Sequence, residues 1–151
     1  MFDLRELYQE VILDHSRHPR NFGRPADANR EAKGFNPLCG DRMTVYLAVE
    51  DGVVRYAAFD GVGCAISVAS ASLMTEAVKG MTVAEAYALF ARFQNLVAGD
   101  GLFQQEGMEE LDKLTVLAGV RQFPIRVKCA TLAWHTLRAA MDRCEERVTT
   151  E

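Results

Sequence analysis

Four cysteines, Cys39, Cys64, Cys129 and Cys144, are the residues in this chain best suited to chemistry. A deprotonated thiol is both a nucleophile and a soft metal ligand. Cys39 stands in "NPLCGD", Asn36 to Asp41, one glycine away from a carboxylate. In extended backbone, residues i and i+2 point to the same side, so Cys39 and Asp41 could reach one ion. The same hexapeptide is also ordinary turn chemistry, with Asn-Pro and Gly-Asp at its ends. Cys64 stands in "GVGCAIS", Gly61 to Ser67, where a strand gives way to a helix. A helix N-terminus favours the thiolate there, although a small buried residue would fit a tight junction equally. Cys129 stands in "RVKCA" near the start of the last helix, with Arg126 and Lys128 beside it. Cys144 continues the apolar stripe of Ala130, Trp134, Leu137 and Met141 and reads as packing. No CxxC pair occurs, so spacing alone leaves ligation, catalysis and burial all open.

Other chemistries fit less well. His15 and His18 close the first helix, where a cation suits the dipole. His135 is about 240° round the helix from Cys129, so the two do not share a face. The glycines around Cys64 lack the third glycine of a dinucleotide fingerprint. A net charge of −4, with no basic run, argues against nucleic acid as a partner. The longest uncharged stretch, Gly61 to Thr75, is too short and too polar to span a bilayer. No signal peptide is evident, so a cytoplasmic location is expected. In a reducing compartment, disulfides are not the first expectation for these cysteines.

The elements that must position these residues follow from periodicity. Residues 3–17 predict an amphipathic helix, stopped by Pro19. Residues 19–38 read as a long irregular connection holding three of the four prolines. Met43, Val45, Leu47 and Val49 alternate as a strand. Asp51-Gly52 is a two-residue hairpin signal, and Val53 to Asp60 returns. A helix rich in small residues (Ser67, Ala69, Ser70, Ala71, Ser72) runs from Ile66 to about Gly80. Thr82 and Glu85 form a capping box opening the next helix, which ends at Gly99. Further helices are expected over 107–118 and 125–146. Strands segregated from helices predict an α+β fold in a single domain, 1–151, with about five helices.

Taken together, "LYQEVILDHSRHPRNFG", "NPLCGD", "GVGCAISVASASLMTEAVKG" and "FPIRVKCATLAW" resemble the U-type iron–sulfur cluster assembly family, which includes IscU, the NifU N-terminal domain and SufU. The resemblance covers about residues 3–141. The stretch Gly99 to Arg121 is similar to the insertion typical of the SufU branch. Lys128 stands where the IscU pattern has histidine, and Phe123-Pro124-Ile125-Arg126 replaces the Leu-Pro-Pro-Val-Lys chaperone motif. The resemblance implies a SufE/NifU-like fold, a three-stranded antiparallel sheet against helices. The third strand is expected near Ala32–Phe35.

By resemblance the metal ligands fall on Cys39, Asp41, Cys64 and Cys129, and Cys144 has no counterpart. Three thiolates and a carboxylate suit tetrahedral Zn²⁺, and the sulfur-rich set also suits an iron–sulfur cluster. Lysine is normally protonated and has no lone pair to offer, which leaves the fourth position to Asp41. Arg126 and Lys128 either offset the charge of the site or are solvated helix-end cations. The family implies a pyridoxal-phosphate cysteine desulfurase of the SufS/IscS type as partner, with downstream cluster-assembly proteins beyond it. The implied function is zinc-dependent sulfur acceptance, a sulfurtransferase role with Cys39 as acceptor and Cys129 as its rival. The alternatives are a scaffold for a nascent [2Fe–2S] cluster on the same residues and a purely structural zinc domain.

Overall fold

The computed structural model describes residues 4–37, 40–98, 117, 124–142 and 148–149. Helix α1 is Leu4–Arg17, and strands β1 to β3 are Arg30–Asn36, Asp41–Glu50 and Val53–Val62. Helices α2, α3 and α4 follow as Ala65–Val78, Val83–Ala98 and Pro124–Met141, and β4 is the dipeptide Val148–Thr149. The sheet order is β3-β2-β1-β4. Strands β1, β2 and β3 are antiparallel neighbours, and β4 joins β1 in parallel. The class is α+β, as the segregation of strands and helices predicts.

The β2–β3 hairpin turns on Asp51 at φ 53° and Gly52 at φ 75°. Positive φ at both positions is the type I′ requirement, which the Asp-Gly pair meets. Met43, Val45, Leu47 and Val49 are buried as their alternation predicts. Tyr46 and Ala48, on the opposite face, are buried as well. Arg24, from the segment before β1, lies over the Tyr46 ring on that side, and Asn29 exchanges hydrogen bonds with the Val49 backbone. The irregular connection expected over 19–38 is therefore only partly irregular. Its second half is β1, and Phe22 makes a parallel bridge to Phe59 on the outer strand β3.

Helices α2 and α4 cover one face of the sheet, with α1 packed on α2 and α3 on α4. Small residues make the α2–α4 contact close. The Ser70 hydroxyl donates to the Ala130 carbonyl and accepts from the Trp134 indole N–H. Trp134 is fully buried and stacks on Phe93 at 4.5 Å. Gly34 of β1 lets α4 approach, because a Cβ there would lie 2.1 Å from Thr136 Oγ1. The capping box of α3 is reciprocal, Thr82 N–H to Glu85 Oε1 and Glu85 N–H to Thr82 Oγ1, both at 3.1 Å. Helix α4 ends at Met141, whose carbonyl accepts from Arg30; residues 143–146 of the helix expected over 125–146 lie outside the described residues. The helix expected over 107–118 and most of the segment 99–121 lie outside the described residues; Leu117 is described and fully buried.

His135 packs edge-on against Phe90 at 5.2 Å. Burial, assisted by Arg138, lowers its pKa below the ordinary value of 6.5. The fold therefore favours the neutral ring. Its contribution is present above the unfolded pKa and is lost as pH falls through about 6.5 toward the lower folded value. Denaturant melts between about pH 7.5 and 5 should show wild type losing more stability on acidification than His135→Gln. Parallel losses in the two proteins would refute this assignment.

Candidate metal centre

Asn36 and Asp41 face each other across the β1–β2 pair, joined by residues 37–40. Gly40 has φ +71°, so the backbone turns immediately before Asp41. Asp41 is fully buried. Its Oδ1 accepts the Cys64 backbone N–H at 2.9 Å, and its Oδ2 accepts the Asn36 amide at 3.4 Å. Gly63 leaves room for this carboxylate, since a Cβ there would lie 2.9 Å from Oδ1.

Cys64 is the N-cap residue of α2, at φ −70° and ψ 168°, and its side chain makes no capping hydrogen bond. Its thiol sits beside the positive end of the helix with no cap to serve. The residues before it, Gly61 to Gly63, are exposed, and Val62 is 67% exposed, so the site opens to solvent on this side. Cys129 is different. It is fully buried and is the sixth residue of α4. The helix-start effect expected there does not reach Cys129, which lies beyond the first turn, where the dipole's influence has faded. A specific donor is present instead, the Asn36 amide at 3.6 Å from Cys129 Sγ.

One ligating atom each from Asp41, Cys64 and Cys129 lie within 4.8 Å of one another. A point equidistant from three atoms at that limiting separation is about 2.8 Å from each, roughly half an ångström beyond a Zn–S bond. A small closure would bring all three into coordination, and a fourth donor would complete a tetrahedron. The donor set, two sulfurs and a carboxylate, fits a borderline-soft divalent ion. Cys39, expected from the sequence as a ligand, lies outside the described residues, as does Cys144. Lys128 is half-buried and Arg126 is exposed.

Two participants escaped sequence reasoning. Asn36 reads as a turn residue, yet it is fully buried and its amide donates to both Asp41 and Cys129. Its position beside a Cys-x-Asp was the available signal. His15 reads as a helix-end cation, yet it is buried between helices, with Nδ1 2.7 Å from Ser72 Oγ and Nε2 3.8 Å from Glu76. It belongs to the α1–α2 contact. No described helix is long and apolar enough to cross a membrane.

Residues 7–130 match the family described as the NifU-like N terminal domain. The chain is 41% identical over 137 residues to the iron–sulfur cluster assembly scaffold protein IscU of Thermotoga maritima, covering 91% of this chain and 94% of that protein. It is 37% identical over 143 residues to the zinc-dependent sulfurtransferase SufU of Bacillus subtilis, covering 95% of each. Among solved structures, a candidate iron–sulfur cluster assembly scaffold for the SUF system of Fervidobacterium islandicum matches with a TM-score of 0.78 at 30% identity. That match covers 92% of this chain and 99% of the other.

Proposed function

The chain belongs to the NifU-like N-terminal domain family, and from that membership we propose that it is a zinc-dependent sulfur acceptor working with a cysteine desulfurase in iron–sulfur cluster assembly. The observation that carries this reading is the convergence of Asp41, Cys64 and Cys129 within 4.8 Å. Cys39, two positions before Asp41 in the chain, supplies the fourth ligand and the acceptor thiol. Bound zinc would keep the coordinating thiols deprotonated at neutral pH. The Cys39 thiolate attacks the outer sulfur of a persulfide on the desulfurase. A new sulfur–sulfur bond forms on Cys39, the old one breaks, and the desulfurase thiolate leaves, with no net oxidation. The Asn36 amide holds the Asp41 carboxylate and the Cys129 sulfur, and the Cys64 N–H fixes the carboxylate from the other side. The pyridoxal phosphate belongs to the partner.

Lys128 favours acceptor over scaffold. It withholds a lone pair from the site and leaves Asp41 as the non-sulfur ligand beside three cysteines. The 37% identity to a protein named a zinc-dependent sulfurtransferase supports the same reading. The test is metal analysis of the purified chain together with turnover of a pyridoxal-phosphate cysteine desulfurase, with and without it. We expect one zinc per chain, faster turnover, and loss of that stimulation in Cys39→Ser. A stoichiometric, transferable [2Fe–2S] cluster after anaerobic reconstitution, without stimulation, would replace this reading by the scaffold one.

A further inference from the structure

Ser67 Oγ is the one buried side-chain polar atom among the described residues without a hydrogen-bond partner. The residue is 0% exposed. Neighbouring hydroxyls in the same helical layer are all engaged. Ser70 donates to Ala130, Ser72 pairs with His15, and Thr75, Thr131 and Thr136 return to carbonyls of their own helices. Ser67 lacks that local outlet. The Cys64 carbonyl three residues back accepts the Val68 N–H but takes no bond from the Ser67 hydroxyl, and four residues back is Gly63, outside the helix. An orphaned buried hydroxyl is costly, so native proteins rarely keep one without a reason.

The surroundings supply the reason. The position a Cβ would take on Gly63 is 2.9 Å from Asp41 Oδ1 and 3.2 Å from Ser67 Oγ. The carboxylate and the hydroxyl thus border one small space, which the missing side chain of Gly63 keeps open. Ser67 lies one turn after Cys64 on the same helix. We infer that Ser67 is a positioning residue for the metal centre, its hydroxyl donating to the Asp41 carboxylate, directly or through one water, in the loaded site. This rests on the zinc reading above. The Cys64 N–H and the Asn36 amide already hold the carboxylate by hydrogen bonds within the fold. The Ser67 hydroxyl adds a donor that matters when the carboxylate carries a metal, because outer-shell partners orient the ligand and tune its donor strength.

Zinc affinity measured by competition with a chromophoric chelator, paired with melts of the metal-free protein, tests this. We expect Ser67→Ala to bind zinc about 10-fold more weakly, the lower end of outer-shell effects. The metal-free variant should melt at the wild-type temperature or above it, since only an unpartnered hydroxyl is removed. Ser67→Thr, which keeps the hydroxyl, should restore affinity. In an Asp41→Ala background, Ser67→Ala should cause no further loss. Wild-type affinity in Ser67→Ala overturns the inference alone, as does an equal loss in the Asp41→Ala background. A wild-type chain that binds no zinc overturns both this inference and the proposed function.

Discussion

Cys129→Ser should weaken zinc binding about 100-fold while leaving the metal-free protein folded. Four-ligand zinc sites in small domains are worth about 10–16 kcal/mol, so one ligand carries roughly 3 kcal/mol, or about two powers of ten. Serine fills nearly the same volume but offers a hard oxygen that zinc prefers less than thiolate. The Asn36 amide that now points at Cys129 Sγ can donate to the new hydroxyl, so no polar group is orphaned. Asp41→Ala should behave differently. It removes a ligand and also strips the Cys64 N–H and the Asn36 amide of their acceptor. Metal affinity and metal-free stability should then fall together, the latter by about 2 kcal/mol. Chelator competition and denaturant melts separate the two. Unchanged zinc affinity in Cys129→Ser would remove this cysteine from the site.

Gly61→Ala should have the largest effect on folding. Gly61 lies near the end of β3 at φ +131°, a region side chains rarely tolerate. A Cβ there would stand 2.1 Å from the Arg42 carbonyl oxygen and 2.7 Å from Met43 Cα. These are backbone atoms of the paired strand β2, with Gly61 opposite Met43 in the register. They cannot yield without opening the ladder beside Asp41. Strain at a forbidden φ and overpacking each cost about 1–3 kcal/mol, together about 4 kcal/mol. For a chain of this size that lowers the melting temperature by on the order of 10 °C. Thermal denaturation followed by circular dichroism checks it. A melting temperature within about 2 °C of wild type would mean that β2 and β3 separate here at little cost.

Gly34 shows what a sequence pattern cannot carry. Strand β2 is legible because Met43, Val45, Leu47 and Val49 put apolar side chains on alternate positions. Strand β1 reads "REAKGFN", and its inward face is Ala32, Gly34 and Asn36. Nothing in that trio signals a core-facing strand. The reason lies across the interface, where Thr136 and Leu132 of α4 occupy the space a larger residue at Gly34 would need. Sequence periodicity records burial only where apolar volume marks it. At the site, each cysteine motif is visible locally, but the meeting of Asp41, Cys64 and Cys129 depends on the ends of β1, β2 and β3 lying over the early turns of α2 and α4. Asn36 escaped because a buried amide and a turn amide are the same letter, and His15 because a helix-end histidine can equally point inward.

The core has a consequence for handling a metal. The hydrophobic cluster that closes the sheet against α2, α3 and α4 contains none of Asp41, Cys64 and Cys129. The three sit together at the end of the sheet, one of them beside an exposed strand terminus. The apolar packing that holds the sheet to its helices is thus built without the three candidate ligands. An ion drawn out by a chelator would leave a scaffold that still melts cooperatively, at a temperature lowered only by the lost binding energy. Cooperative melting of the chelator-treated protein is the expected mark of a fold that outlasts the loss of an ion.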